Sequence, residues 1–336
     1  MNFKFFRKKQ KYIPKLTILR QQGFSWLHAE PSMRREWYDV LTSIRGTIFW
    51  DILFRVTFFT LVATAFCLLE YFGFVESSFN SDMHTIVGGA LGLMLVYRSN
   101  TAYERYWEAR SKWEDLENVC CNLMMIVRCR EKNLTPKKME ELANMILAFV
   151  FSIKQQLRGV YHPEEYTFLL SHQQSRLVDE QKFKALTINV VIADWIIENC
   201  EYIESSDSLL ASVESHIETM IESLGSLERI SNTPVPFSYV AHLHHILLGY
   251  LVTLPAFLIT NYGWYAIPCT FFIAFSLLGV DQSATEIESP FGMQTNDLPL
   301  DSIAKTIQEK LIFLSTRKDL DMELLQIKID AAELNQ

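Results

Sequence analysis

Residues 230–280 are 51 consecutive positions without one Asp, Glu, Lys or Arg. At about 1.5 Å of rise per residue this is about 75 Å of helix, more than twice the ~30 Å hydrocarbon core of a bilayer. Helices on a soluble protein carry charge on their outer faces. An uncharged run of this length therefore reads as two membrane spans. It divides at "TNYGWY" (260–265), where Asn261 and Gly263 signal a turn and the aromatic residues suit a membrane interface. Two shorter uncharged stretches, 56–69 and 83–97, lie nearer the N-terminus. Whole-chain averages hide this pattern. Hydrophobic residues make up 49% of the 336 positions and the net charge is −8, values that fit a soluble enzyme equally well.

The expected fold is an all-α membrane protein with four transmembrane helices, at about 48–74, 84–105, 237–259 and 264–281. A helical cytoplasmic part is expected from 106–235 and 282–336, the whole forming one domain over 1–336. Ten Lys or Arg fall within residues 1–45. The turn at 75–84 has none, and none lies between Arg229 and Lys305. The positive-inside bias then puts both termini in the cytoplasm. Asp51 and Arg55, one helical turn apart with the acid first, are expected to pair near the interface. Between the second and third spans, "ELANMILAFVFSIKQQL" and "LLASVESHIETMIESLGSLERI" repeat apolar residues at three- and four-residue spacing, the period of amphipathic helices. Near the C-terminus, Ile303, Ile307, Leu311 and Leu314 make one apolar helix face, expected to dock on the cytoplasmic part.

Several chemistries find no support. Six cysteines occur without a CxxC pair, which argues against a zinc site or a disulfide framework. No basic stretch laced with aromatics suits nucleic acid. The basic N-terminus lacks the apolar core and cleavage site of a signal peptide. In "HLHH" (242–245), His242 and His245 have metal-compatible spacing but no nearby carboxylate. Glu104 and Glu108 read as salt-bridge partners of Arg105, Arg110 and Lys112, and Cys120–Cys121 as packing. No catalytic residue, cofactor or metal ligand is expected.

The second span is short. Its fifteen uncharged residues cover about 22 Å, less than the bilayer core. It then enters "YRSNTAYERYWEAR" (97–110), where Arg98, Glu104, Arg105, Glu108 and Arg110 crowd into thirteen positions. A helix surrounded by protein can carry such charge more cheaply than one in lipid. Gly88 and Gly92 form a small-xxx-small pair that permits close helix packing. Gly89, Leu93 and Tyr97, with Ile86 near the same stripe, share one face. That stripe suits a pore-lining helix in a symmetric oligomer, or ordinary helix packing.

"YRSNTAYERYWEARSKWEDL" (97–116), "ERISNTPVPFSYVAH" (228–242) and "EIESPFGMQTNDLPLD" (286–301) resemble the signature segments of the bestrophin family, in its bacterial branch. With "RGTIFWDILFRV" (45–56) the resemblance covers nearly the whole chain. It implies a homopentamer around one ion pathway, with a neck of three apolar rings just before the arginine matched by Arg98. Those rings fall on Gly89, Leu93 and Tyr97. Gly89 lacks a side chain and Tyr97 adds a hydroxyl, which leaves Leu93 as the main apolar constriction. A cytoplasmic narrowing is implied at Ser208, with Leu209 beside it. The calcium site of animal members does not carry over, because "MQTNDLPLD" is mostly uncharged and Ser289 stands where an Asn is expected. The function implied is a passive channel for small inorganic ions, chloride and other anions foremost and monovalent cations still open. Its partners would be other copies of the chain, membrane lipid and the ions. The rival reading is a non-conducting membrane scaffold whose helical part binds a cytoplasmic partner.

Overall fold

Helix dominates the computed structural model, which describes residues 47–74, 82–130, 134–160, 162–204 and 206–333, with the backbone alone for Tyr202 and 317–333. The basic N-terminal segment and most of the turn at 75–84 lie outside these residues. The longer helices are α1 (Phe49–Tyr71), α2 (Asp82–Arg130), α3 (Pro136–Arg158), α4 (His172–Glu180), α5 (Lys184–Asn199), α6 (Asp207–Asn232), α7 (Phe237–Tyr262), α8 (Ala266–Glu288) and α9 (Leu300–Glu333). No strand occurs among the described residues. Two compact units form. Of the described residues, one comprises 112–227 with those from 299 onward, and the other 47–111 with 228–298.

In the second of these units, α1, α7 and α8 pack with the start of α2. The core joins Ile52, Val56 and Phe59 of α1 to Leu91 and Leu95 of α2, Leu247 and Leu251 of α7, and Leu278 of α8. The outer face of α1 is equally apolar. Trp50, Phe54, Phe58 and Leu61 are all at least half exposed. A contiguous apolar surface of this kind marks a membrane or protein contact. Helix α1 and a stretch within residues 207–288 are long and apolar enough to cross a bilayer, and α2 is not among them. The expected turn between the last two spans is a single 3₁₀ turn, Gly263–Tyr265, with Gly263 at φ +52°. That angle lies in the region open chiefly to glycine.

The helix that holds the expected span at 84–105 continues unbroken for 49 residues to Arg130. No proline or glycine follows Gly92 before its end to break it. Several of its charges find partners on other helices, as described below.

In the other unit α3 is the central helix. Residues 142–153 are buried on every side, as expected of a helix wrapped by others. Thr135 caps its first turn by accepting from the Lys138 N–H, and Gly159 closes it at φ +64°. Helices α5 and α9 pack against it. Ile303, Ile307, Leu311 and Leu314 of α9 are buried, so the apolar face read from the sequence docks within the same chain. Lys154, 2% exposed, is held between Glu165 (2.9 Å) and Asp301 (3.0 Å), and Arg158 reaches Asp301 at 2.8 Å.

Candidate functional site

On α2, Leu91, Leu95, Arg98 and Ala102 are buried and share one face. At ~100° per residue, the stripe Ile86–Gly89–Leu93–Tyr97 falls on roughly the opposite side. Within the chain this stripe is open. Ile86 is 67% exposed, Leu93 74% and Tyr97 65%. A Cβ added at Gly89 would meet nothing within 4 Å. The ring of Tyr97 is braced edge-on by Tyr239 of α7, centroids 6.2 Å apart.

The two glycines of the small-xxx-small pair differ. A Cβ at Gly88 would lie 2.7 Å from the Tyr250 hydroxyl, while one at Gly92 meets nothing within 4 Å. Tyr250 is itself stacked on His84 at 4.2 Å, and the other face of His84 stacks on Phe257 at 4.4 Å. Gly88 thus serves the contact of α2 with α7, whereas the described residues leave room for a Cβ at Gly92.

Three members of the charge band, Arg98, Arg105 and Glu108, find partners within the chain. Arg98 is 3% exposed. Its guanidinium donates to Asp281 and to the Thr285 hydroxyl (2.9 Å), and Glu288 lies 3.7 Å away. His244 Nε2 stands 3.1 Å from Arg98 and 3.0 Å from Asp281. This one nitrogen can accept from the arginine or donate to the carboxylate, according to tautomer. Arg105 donates to the carbonyls of Ile230, Thr233 and Glu288. Those oxygens end α6 and α8, where partial negative charge collects and a cation is favourable. Glu108 accepts from Arg229 at 2.7 Å. Arg98 thus has a carboxylate partner within the chain, whereas Arg105 has carbonyl acceptors.

Some expected pairings are corrected. Arg55 donates to Gln282 (3.3 Å) rather than pairing with Asp51, because α8 packs directly on α1. Glu108 bonds Arg229, and Lys112 bonds Asp115 (2.8 Å), in place of pairs among Glu104, Glu108, Arg105, Arg110 and Lys112. The first of these partners comes from α6, and the second is a neighbour three residues along α2 itself. His242 and His245 are exposed. His244, which the spacing did not single out, is the member of "HLHH" that is engaged. The available signal was Asp281, the first carboxylate after 51 uncharged residues. A lone acid at that position requires a cationic partner.

Ser208 is exposed on the first turn of α6, and Leu209 is half-buried beside it. After "PFG", the Asp297 carboxylate accepts the Gln294 N–H at 2.6 Å and Asn296 donates to Glu286 at 2.6 Å. Gly292 allows this turn, since a Cβ there would sit 2.4 Å from Asp297 Oδ2. Asp301 is committed to Lys154 and Arg158. Among the described residues, no group of three or more His, Cys, Asp or Glu is disposed to hold a metal ion. Cys120 is fully buried and its thiol pKa is pushed up by that burial, then by Cys121 and Glu117.

Comparison with known proteins locates this arrangement. The model of bacterial and fungal bestrophin proteins matches residues 28–312. A voltage-dependent anion channel-forming protein of Synechocystis is 30% identical over 280 residues, 82% of this chain and 91% of that protein. The voltage-dependent anion channel-forming protein YneE of Escherichia coli is 26% identical over 287 residues, 85% of this chain and 91% of that protein. Among solved structures, a bacterial bestrophin homologue from Klebsiella pneumoniae with an L177T mutation superposes at a TM-score of 0.72 and 24% identity. That match covers 79% of this chain and 99% of the other.

Proposed function

The chain belongs to the bacterial and fungal bestrophin family, and from that membership we propose that it forms a passive anion channel. The observation that carries this reading is the naming of relatives that match along more than four-fifths of the chain as voltage-dependent anion channel-forming proteins. In this reading the chain crosses a bacterial inner membrane four times, through the start of α2 and through α1, α7 and α8, with both termini cytoplasmic. Five copies surround one axis, and the stripe Ile86–Gly89–Leu93–Tyr97 faces it. The exposure of that stripe within the chain supports this placement. Ser208 and Leu209 form the second narrowing.

An apolar neck holds back water and ions by dewetting and by the cost of stripping hydration. Arg98 is paired with Asp281 inside the protomer, so it adds no unpaired charge to the neck. The test is the reversal potential of the purified protein in planar bilayers under asymmetric NaCl. Reversal close to the chloride equilibrium potential is expected. Reversal close to the sodium potential would make it a cation channel. A silent bilayer at all voltages would favour the scaffold reading.

A further inference from the structure

Helices α1, α7 and α8 leave a pocket of about 380 Å³ between them, within the range of small-molecule sites. Phe58 and Phe59 of α1 and Leu248 and Leu251 of α7 line its apolar part. Phe58 and Leu248 are half exposed. The pocket therefore opens on the apolar outer surface of a unit whose α1 is long and apolar enough to cross a bilayer. One end is polar. Arg55, His244 and Asp281 line it there. Asp281 stands 3.0 Å from His244, and Arg55 is bonded to the next residue, Gln282.

The two charges at this end are not equivalent. Asp281 is 2% exposed and has Arg98 as its counterion. Arg55 is exposed. Among the described residues it donates only to the neutral side chain of Gln282, at 3.3 Å. Asp51, one turn earlier, does not line the pocket. The lining thus joins an apolar wall to one cation without an ionic partner. A guanidinium offers paired N–H donors that match a phosphate. Arg55 lies in the second turn of α1, where a long side chain can reach the headgroup level. The apolar wall discriminates little between lipids, because every lipid tail is as apolar as leucine. It sets where a tail lies, and Arg55 sets which lipid supplies it. A net anionic headgroup is favoured over a zwitterionic one, whose own ammonium offsets the phosphate.

We propose that this pocket seats one acyl chain of an anionic phospholipid, with the lipid phosphate on Arg55. The proposal rests on α1 lying in lipid and is independent of conduction.

The probes are phosphatidylglycerol and phosphatidylcholine with identical acyl chains. Each is titrated into the delipidated full-length protein in detergent, and bound lipid is counted by native mass spectrometry. One saturable phosphatidylglycerol adduct per protomer is expected, half-saturated at a concentration about fivefold below that for phosphatidylcholine. Arg55→Gln should bring the two lipids level. Leu248→Trp, which fills the pocket from a half-exposed position, should weaken both alike and keeps the test valid should Arg55→Gln fail to fold. Glycerol 3-phosphate, a headgroup without tails, should not compete. The proposal is overturned by phosphatidylcholine binding the parent as tightly as phosphatidylglycerol, or by the preference persisting in Arg55→Gln. It is equally overturned by Leu248→Trp binding both lipids like the parent, or by glycerol 3-phosphate displacing the lipid. The readout is bound lipid and not current, so a silent bilayer leaves this outcome decided.

Discussion

Leu93 is the only aliphatic side chain among the three matched neck positions, and the described residues leave it 74% exposed. If a ring of these leucines sets the constriction, Leu93→Ala should raise single-channel conductance and Leu93→Asp should move the reversal potential toward that of cations. Parent-like conductance and reversal in both variants would remove Leu93 from the neck. Five residues along, Arg98 makes a different kind of prediction. It and Asp281 are each 3% exposed on the side chain. Taking one partner from a buried pair leaves an uncompensated charge and costs about 3–5 kcal/mol. Arg98→Met should therefore destabilise the protein strongly, and adding Asp281→Leu should restore much of the loss. Unfolding of the detergent-solubilised single and double variants measures this. Losses that simply add would mean that the two side chains are not coupled.

Among the helices, α2 makes its two glycines unequal. Gly88→Leu meets a tyrosine that its stacking on His84 holds in place, so it should lower the unfolding temperature of the protomer. Gly92→Leu has room within the chain. It should leave protomer stability near that of the parent and reduce the oligomer seen by native mass spectrometry. An unchanged oligomer would place Gly92 away from any subunit contact. The helices themselves were legible because charge and its absence are local properties. The uncharged runs gave α1, α7 and α8 to within a few residues, except that α8 runs on from 281 to Glu288. The apolar face of α9 was equally plain. The length of α2 was not legible. Arg98 resembles the end of a span until its partners are known, and Asp281, Thr285 and His244 come from α8 and α7. Spacing could not choose among three histidines in four residues either. Only the packing of α7 on α8 selects His244.

At the scale of the whole molecule, acid sensitivity should follow from the lock at the start of α9. Burial alone would raise the Asp301 pKa, but its hydrogen bonds and proximity to Arg158 and Lys154 outweigh that and hold it below the ordinary value of 3.8. A lowered carboxylate pKa contributes stability that is complete above the ordinary value and is lost as pH falls through the folded one. Asp301→Asn should cost about 1.5–3 kcal/mol at neutral pH, the worth of hydrogen bonds between charged groups. The gap between parent and variant in denaturant unfolding should close as pH drops below 3.8. A gap that is constant from pH 7 to 3 would show that the lock is not electrostatic. The pairing of Arg98 with Asp281 also bears on how the chain is made. The two residues are separated by 183 positions. At a synthesis rate of roughly 5–20 residues per second, the arginine emerges about 10–40 s before its carboxylate exists. If the start of α2 is the second span, as proposed, the ribosome-bound chain holds for that interval a guanidinium without its carboxylate at the end of that span. Helix α1 and the start of α2 cannot reach their final packing until nearly the whole polypeptide has been translated, because their core includes Leu278 of α8. Nascent chains stalled before residue 281 should be the ones that membrane quality control removes.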